Sequence, residues 1–179
     1  MRHRSTAQAL QARGWSVVGL DLSIDQLAFA RQRCHSTVRA DAHHLPFRSS
    51  SVDALGMAFV HTDVDEFDRL MREVSRVLAP RGHVTCLGVH PCFVGHHVDS
   101  PSKSDGNRRL VIGYRDRIRC DDSPQFGPGI RSRVGAWHIP LGEFLMSFIS
   151  AGLILDRVVE SGDGLVPWML GITAHRANA

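Results

Sequence analysis

Gly14-Trp15-Ser16-Val17-Val18-Gly19-Leu20-Asp21-Leu22-Ser23 is the stretch on which the fold turns. Gly14 stands where a helix over residues 5–13 needs its left-handed stop. Residues 15–20 read as a buried strand, and that strand ends in an acid. Ser23 follows as a helix cap, with Gln26 three residues later in a capping-box pattern. A strand that ends in a carboxylate and turns at once into a capped helix is the repeating step of an open α/β sheet. Such sheets gather ligands at the carboxyl ends of their strands.

Working outward, Ile24, Leu27, Ala28 and Cys34 give the next helix a modest apolar stripe, and residues 37–40 form a short strand ending at Asp41. Residues 52–60 are largely apolar, as a parallel strand buried on both faces should be. Phe67, Leu70, Met71, Val74, Val77 and Leu78 recur at helical spacing, and Pro80 with Gly82 stops that helix. Residues 83–89 are the following strand. Residues 91–135 differ in kind, being rich in Gly, Pro, Ser, Asp and Arg, and read as an irregular insertion or substrate lid. Pro140 suits a first helical turn, Leu141, Phe144, Leu145, Phe148 and Ile149 make an apolar face, and Gly152 closes it. Two strands, 153–160 and 168–175, follow around Ser161-Gly162-Asp163-Gly164. The pattern predicts a single α/β domain over 1–179, mostly parallel, with a C-terminal antiparallel hairpin.

With 179 residues, 43% of them hydrophobic and 22% charged, the chain is long enough for a real core and is not of disordered composition. A net charge of +3 without a basic run argues against a nucleic-acid partner. No window approaches the 18 apolar residues of a membrane span, and the start Met1-Arg2-His3-Arg4-Ser5 lacks the apolar stretch of a secretory leader. The four cysteines form no CxxC pair. A reduced, cytoplasmic setting is the expectation.

Four stretches then carry a resemblance. Val17-Val18-Gly19-Leu20-Asp21-Leu22-Ser23, Ala40-Asp41-Ala42-His43-His44-Leu45-Pro46-Phe47, Val52-Asp53-Ala54-Leu55-Gly56 and Glu73-Val74-Ser75-Arg76-Val77-Leu78-Ala79-Pro80-Arg81-Gly82-His83 occur in one order and at one set of spacings. In these the chain resembles a class I S-adenosylmethionine-dependent methyltransferase of the type 11 kind. The resemblance implies a Rossmann-like sheet, S-adenosyl-L-methionine as cofactor, and methylation of a small-molecule acceptor.

It also implies residue roles. Asp21 matches the acid that accepts bonds from the ribose hydroxyls, which charge assistance strengthens; its plain alternative is a helix-start acid. Asp41 matches the acid facing the adenine amino group, with Ala42 beside the ring and Leu22 and Phe47 as apolar contacts; its alternative is an Asx turn. Val60 opens the loop that faces the methionine half of the cofactor and the acceptor. His61 in that loop is the candidate base or acceptor-positioning group, or else a locally bonded histidine. His90, Trp137 and His138 are candidate acceptor contacts. Cys92, His90, His96 and His97 invite a metal reading, but their spacing matches no structural zinc pattern, so no metal is expected.

The family begins with a central strand and a GxGxG loop, whereas residues 1–13 match only the helix after that loop. The expectation is therefore an N-terminally truncated form of the sheet, with unpaired edges that favour self-association. Three readings stay open: an internal start of a longer methyltransferase, a genuine short form, and a non-catalytic remnant acting as a binding or subunit protein.

Overall fold

The computed structural model describes residues 5–98, 113–120, 134–162 and 164–178. By its internal contacts the chain forms two compact units, Met1–Pro46 and Phe47–Ala179.

The smaller unit is built as its cap residues dictate. Helix α1 (Thr6–Gln11) carries a reciprocal capping box between Ser5 and Gln8. Gly14 takes φ +86°, a conformation that a Cβ would penalise, and turns the chain toward β1 (Val18–Asp21). Helix α2 (Ile24–Ala30) follows, with Ser23 Oγ accepting from the Gln26 amide at 3.3 Å. It leads to β2 (Ser36–Arg39), which pairs with β1 in parallel from Val18↔Ser36 to Asp21↔Arg39. The unit's buried apolar side chains are Leu27, Cys34 and Leu45. Trp15 and Val18, expected inside, are 47% and 44% exposed. Among the described residues β1 pairs with β2 alone, so one edge of it is unpaired.

The larger unit holds a four-stranded mixed sheet in the order β3 (Val52–Ala58), β4 (Leu78–Val89), β8 (Met169–Arg176), β7 (Leu153–Ser161). β3 and β4 are parallel; β4 with β8, and β8 with β7, are antiparallel. The terminal hairpin is as expected, but antiparallel pairings make up more of this sheet than "mostly parallel" suggests. The short return around Gly162 brings β8 back beside β4 with reversed direction. The apolar run 52–60 does not become a strand buried on both faces, since only Met57 of β3 is buried. Among the described residues β3 pairs with β4 alone, and a strand paired on one side keeps much of its surface.

Helix α3 (Phe67–Val77) buries Phe67, Leu70, Met71, Val74 and Val77. It packs with α4 (Leu141–Ser150), whose Phe144 stacks on Phe67 with ring centroids 5.0 Å apart. β4 alternates strictly at its carboxyl half, turning Val84 and Cys86 inward against Ile172 and Ala174 of β8. Burying each such side chain contributes roughly 1.5–3 kcal/mol. A small antiparallel pair, β5 (Ile118–Cys120) with β6 (Ala136–His138), lies in and beside the predicted irregular segment. Much of that segment, residues 99–112 and 121–133, lies outside the described residues. Among the described residues no helix is long and apolar enough to cross a membrane.

Candidate functional site

The chain leaves β3 through a backbone conformation that side chains disfavour. Phe59 sits at φ +61°, ψ +15°, in the left-handed region. Its amide donates to the Leu87 carbonyl at 2.7 Å, which holds the turn to β4. A 3₁₀ turn (Val60–Thr62) follows at once, and Thr62 Oγ1 donates back to the Phe59 carbonyl at 3.0 Å. The result is that His61 points into the unit and is 3% exposed. Its ring lies against the backbone face of Gly88, where an added Cβ would stand 2.1 Å from His61 Cε1. Phe67 and Phe144 flank it at 6.4 and 5.1 Å between ring centroids.

A cavity of about 240 Å³ opens beside this turn, at the carboxyl ends of β3 and β4. Phe59, Val89, Pro91, Val94, Trp137 and Ile139 give it an apolar wall, and His61, Thr62, His96 and His138 supply its polar atoms. The structure thus brings His61, Trp137 and His138 to one cavity, although 75 or more residues separate the first from the others in sequence. Val60 lies in the same turn.

His90 is placed differently. It is 1% exposed, its Nδ1 accepts from the Cys92 amide at 3.1 Å, and its Nε2 therefore donates to Glu160 Oε1 at 2.7 Å. Both ring nitrogens are committed, so His90 ties β4 to β7 and leaves nothing for an acceptor. Cys92 Sγ lies 3.4 Å from the Tyr114 hydroxyl, which also accepts from the Leu141 amide. The metal grouping suggested by sequence therefore dissolves: His90 and Cys92 have other partners.

His96 and His97 meet His138 instead. The His97 and His138 rings are 4.4 Å apart, and the His96 and His138 rings 5.1 Å. Each ring donates its Nε2 proton to a backbone carbonyl: His96 to Gly113 (3.2 Å), His97 to Cys92 (3.2 Å) and His138 to Tyr114 (2.7 Å). Burial pushes the His97 pKa down and lowers that of His138 to about 4, so both rings are neutral near pH 7.

The other predicted residues lie in the smaller unit. Asp21 ends β1 half-buried, and its Oδ1 accepts from the Ser23 amide at 2.8 Å. Oδ2 has no protein partner among the described residues, which suits a carboxylate that is to receive a ribose hydroxyl. Leu22 beside it is 61% exposed. Asp41 Oδ1 accepts from the His43 amide and from His43 Nδ1, at 2.9 and 3.0 Å. The His43 amide holds its carboxyl below the ordinary range. That is an Asx-type turn, and it leaves half of the side chain open beside half-buried Ala42.

The sequence pattern names His61, Trp137 and His138, which line this cavity, and does not name Phe59, Gly88 or Tyr114. The positive φ of Phe59 has no signal in its residue type. Gly88 reads as an ordinary strand glycine until His61 is seen lying on it.

Comparison with known proteins agrees with this architecture. The family described as "Methyltransferase domain" matches residues 4–86. The ubiquinone/menaquinone biosynthesis C-methyltransferase UbiE of Bartonella tribocorum is 37% identical over 76 residues, covering 38% of this chain and 29% of that protein. The demethylmenaquinone methyltransferase of Thermus thermophilus is 33% identical over 87 residues, covering 45% and 40% respectively. The chain thus spans less than half the length of these curated relatives. Among solved structures, an S-adenosylmethionine-dependent methyltransferase from Mesorhizobium loti superposes with TM-score 0.73 at 25% identity, over 93% of this chain and 83% of that one. One from Listeria monocytogenes, at 18% identity and TM-score 0.72, shares the fold. The Rossmann-like α/β architecture and the sequence matched over residues 4–86 make the chain similar to the class I S-adenosylmethionine-dependent methyltransferases, a family whose cofactor is S-adenosyl-L-methionine.

Proposed function

We propose that this chain transfers a methyl group from S-adenosylmethionine to a small, largely apolar acceptor held in the cavity beside His61. The observation that carries the reading is that cavity: it lies at the carboxyl ends of β3 and β4, within a chain whose first half matches the family. The cofactor supplies an already activated methyl group, so the protein's residues need mainly to orient the acceptor and exclude water. Phe59, Val89 and Trp137 provide the dry wall. His61 faces the acceptor's reacting atom and takes or positions its proton. Asp21, with Leu22, takes the ribose, Asp41 and Ala42 take the adenine, and Val60 borders the methionine half. The names of the curated relatives make ring acceptors of the demethylmenaquinone kind the first compounds to try.

Calorimetry with S-adenosylmethionine tests the first half of this reading. Asp21→Ala is expected to weaken binding by about 1.5–3 kcal/mol, the range for a hydrogen bond to a charged group. Unchanged affinity in a folded variant refutes the ribose role. Turnover tests the second half: His61→Ala should lower methyl transfer more than cofactor affinity, and equal loss in both makes His61 structural. No binding at millimolar cofactor favours the alternative of a non-catalytic remnant serving as a binding or subunit protein, a reading that the engaged Asp41 carboxylate supports. Four cysteines without a CxxC pair support a cytoplasmic setting. The edge of β3 that has no partner strand among the described residues supports self-association, which sedimentation velocity measures.

A further inference from the structure

Three imidazoles, from two separate parts of the chain, converge in the larger unit. His96 and His97 lie after β4, and His138 ends β6. Each offers one ring nitrogen, and these atoms lie within 4.8 Å of one another. His97 is fully buried and His138 is 6% exposed.

Tautomers decide what the three rings can do. A backbone carbonyl can only accept, so the Nε2 of every one of these rings carries its proton. A neutral imidazole protonated at Nε2 presents a bare lone pair at Nδ1. The Nδ1 atoms of His96 and His97 are buried and have no hydrogen-bond partner among the described residues. Those of His97 and His138 also converge: a Cβ built on Gly95 would lie 3.1 and 3.6 Å from them. Native proteins rarely leave buried acceptors unsatisfied. Here two of them occur in one cluster of three rings.

We propose that His96, His97 and His138 bind a divalent transition-metal ion of the zinc class through their Nδ1 atoms. Metal-binding histidines characteristically donate their other ring nitrogen to a carbonyl or carboxylate, which fixes tautomer and orientation, and all three rings here do so. Imidazole without any carboxylate suits zinc, copper, nickel or iron, and disfavours magnesium and calcium. Ligands at about 2.0–2.1 Å in a tetrahedron stand roughly 3.4 Å apart. Small ring rotations that keep the carbonyl bonds are therefore enough to close the triad. Three protein ligands leave a fourth position open. His96 and His138 both line the cavity, so that position faces the same space as His61. The site does not depend on the methyl-transfer reading, and its test uses metal content, not turnover.

The experiment uses the full chain without a histidine tag. Zinc is measured by mass spectrometry after dialysis against a zinc buffer, and cobalt(II) is titrated with visible absorption as the readout. One ion per chain is expected, with the absorption of low-coordinate cobalt. His138→Gln and His96→Gln should each lower affinity by at least about 10–100-fold, a loss already typical when only an outer-shell partner is removed. His83→Ala, which removes an exposed histidine beside Asp156, should leave it unchanged. Replacing fully buried His97 risks the fold, so half-buried His96→Gln, checked by far-ultraviolet circular dichroism, carries the decision. A wild-type chain that takes up neither zinc nor cobalt stoichiometrically overturns the proposal. So does binding that survives both glutamine substitutions.

Discussion

His61 and Gly88 act as one unit. A Cβ at residue 88 would stand 2.1 Å from one ring carbon of His61 and 2.4 Å from Nδ1, so the ring cannot keep its place beside any other residue type. Gly88→Ala is therefore expected to cost about 1–3 kcal/mol, the usual penalty of overpacking a core, read from urea unfolding. It should also displace His61 from the cavity, so turnover should fall further than stability alone accounts for. Cys86 makes a second prediction. Burial pushes its thiol from 9.0 up to about 12, so it stays protonated in the native state where a free thiol would ionise. Its contribution to stability is complete below pH 9 and is lost as pH rises toward 12, because the unfolded chain releases the proton first. Cys86→Ala should flatten that alkaline slope. In native protein at pH 8 an alkylating reagent should reach half-buried Cys92 and Cys120 well before Cys86. Places set by local order were legible at this scale: the Ser23 cap and the position of Asp21 at the end of β1 follow from their neighbours alone. Gly88 and Phe59 were not, because what constrains them is a contact or a backbone angle, not a residue pattern.

Among the elements, α3 is where sequence and structure agree most closely, and the reason is physical. A helix that buries one face against a sheet must repeat its apolar residues at 3.6-residue spacing, and Phe67, Leu70, Met71, Val74 and Val77 do so and are all buried. Leu70, 2% exposed, is expected to cost about 2–5 kcal/mol when cut to alanine. The ion pairs on its outer face, Glu66 with Arg69 and Asp68 with Arg72, are exposed at 3.1 Å, and each contributes only about 0.3–0.5 kcal/mol. Chemical denaturation of Leu70→Ala beside Arg72→Ala should separate by that margin; similar losses would show that the helix is held by its charges. Strands were less legible. The apolar run 52–60 told of a strand but not of its neighbours, and burial in a sheet is a property of neighbours. β3 pairs with β4 alone among the described residues, which is why residues that looked central lie at an edge. The meeting of His138 with His96 and His97 was illegible for the same reason, since it comes about only through the return of β6.

For the molecule as a whole, the uneven division of its core has a measurable consequence. The larger unit buries α3, α4 and the inner faces of β4 and β8, whereas the smaller one buries Leu27, Cys34 and Leu45 and leaves Trp15, Leu22, Ile24 and Phe29 largely exposed. Opening free energies follow local burial. Amides of β1 and β2 should therefore exchange with deuterium sooner than those of β4 and β8, and in a separate kinetic class. Adding S-adenosylmethionine makes the comparison a test of function. A ligand that binds only the closed form stabilises it by about 2.7 kcal/mol at a hundred times its dissociation constant. If Asp21, Leu22, Asp41 and Ala42 hold the adenosine, that protection should appear across residues 18–42. It should be lost in Asp21→Ala, while β4 and β8 change little. Protection confined to the larger unit would mean that the cofactor does not use these acids, and that their family pattern persists here without its chemistry.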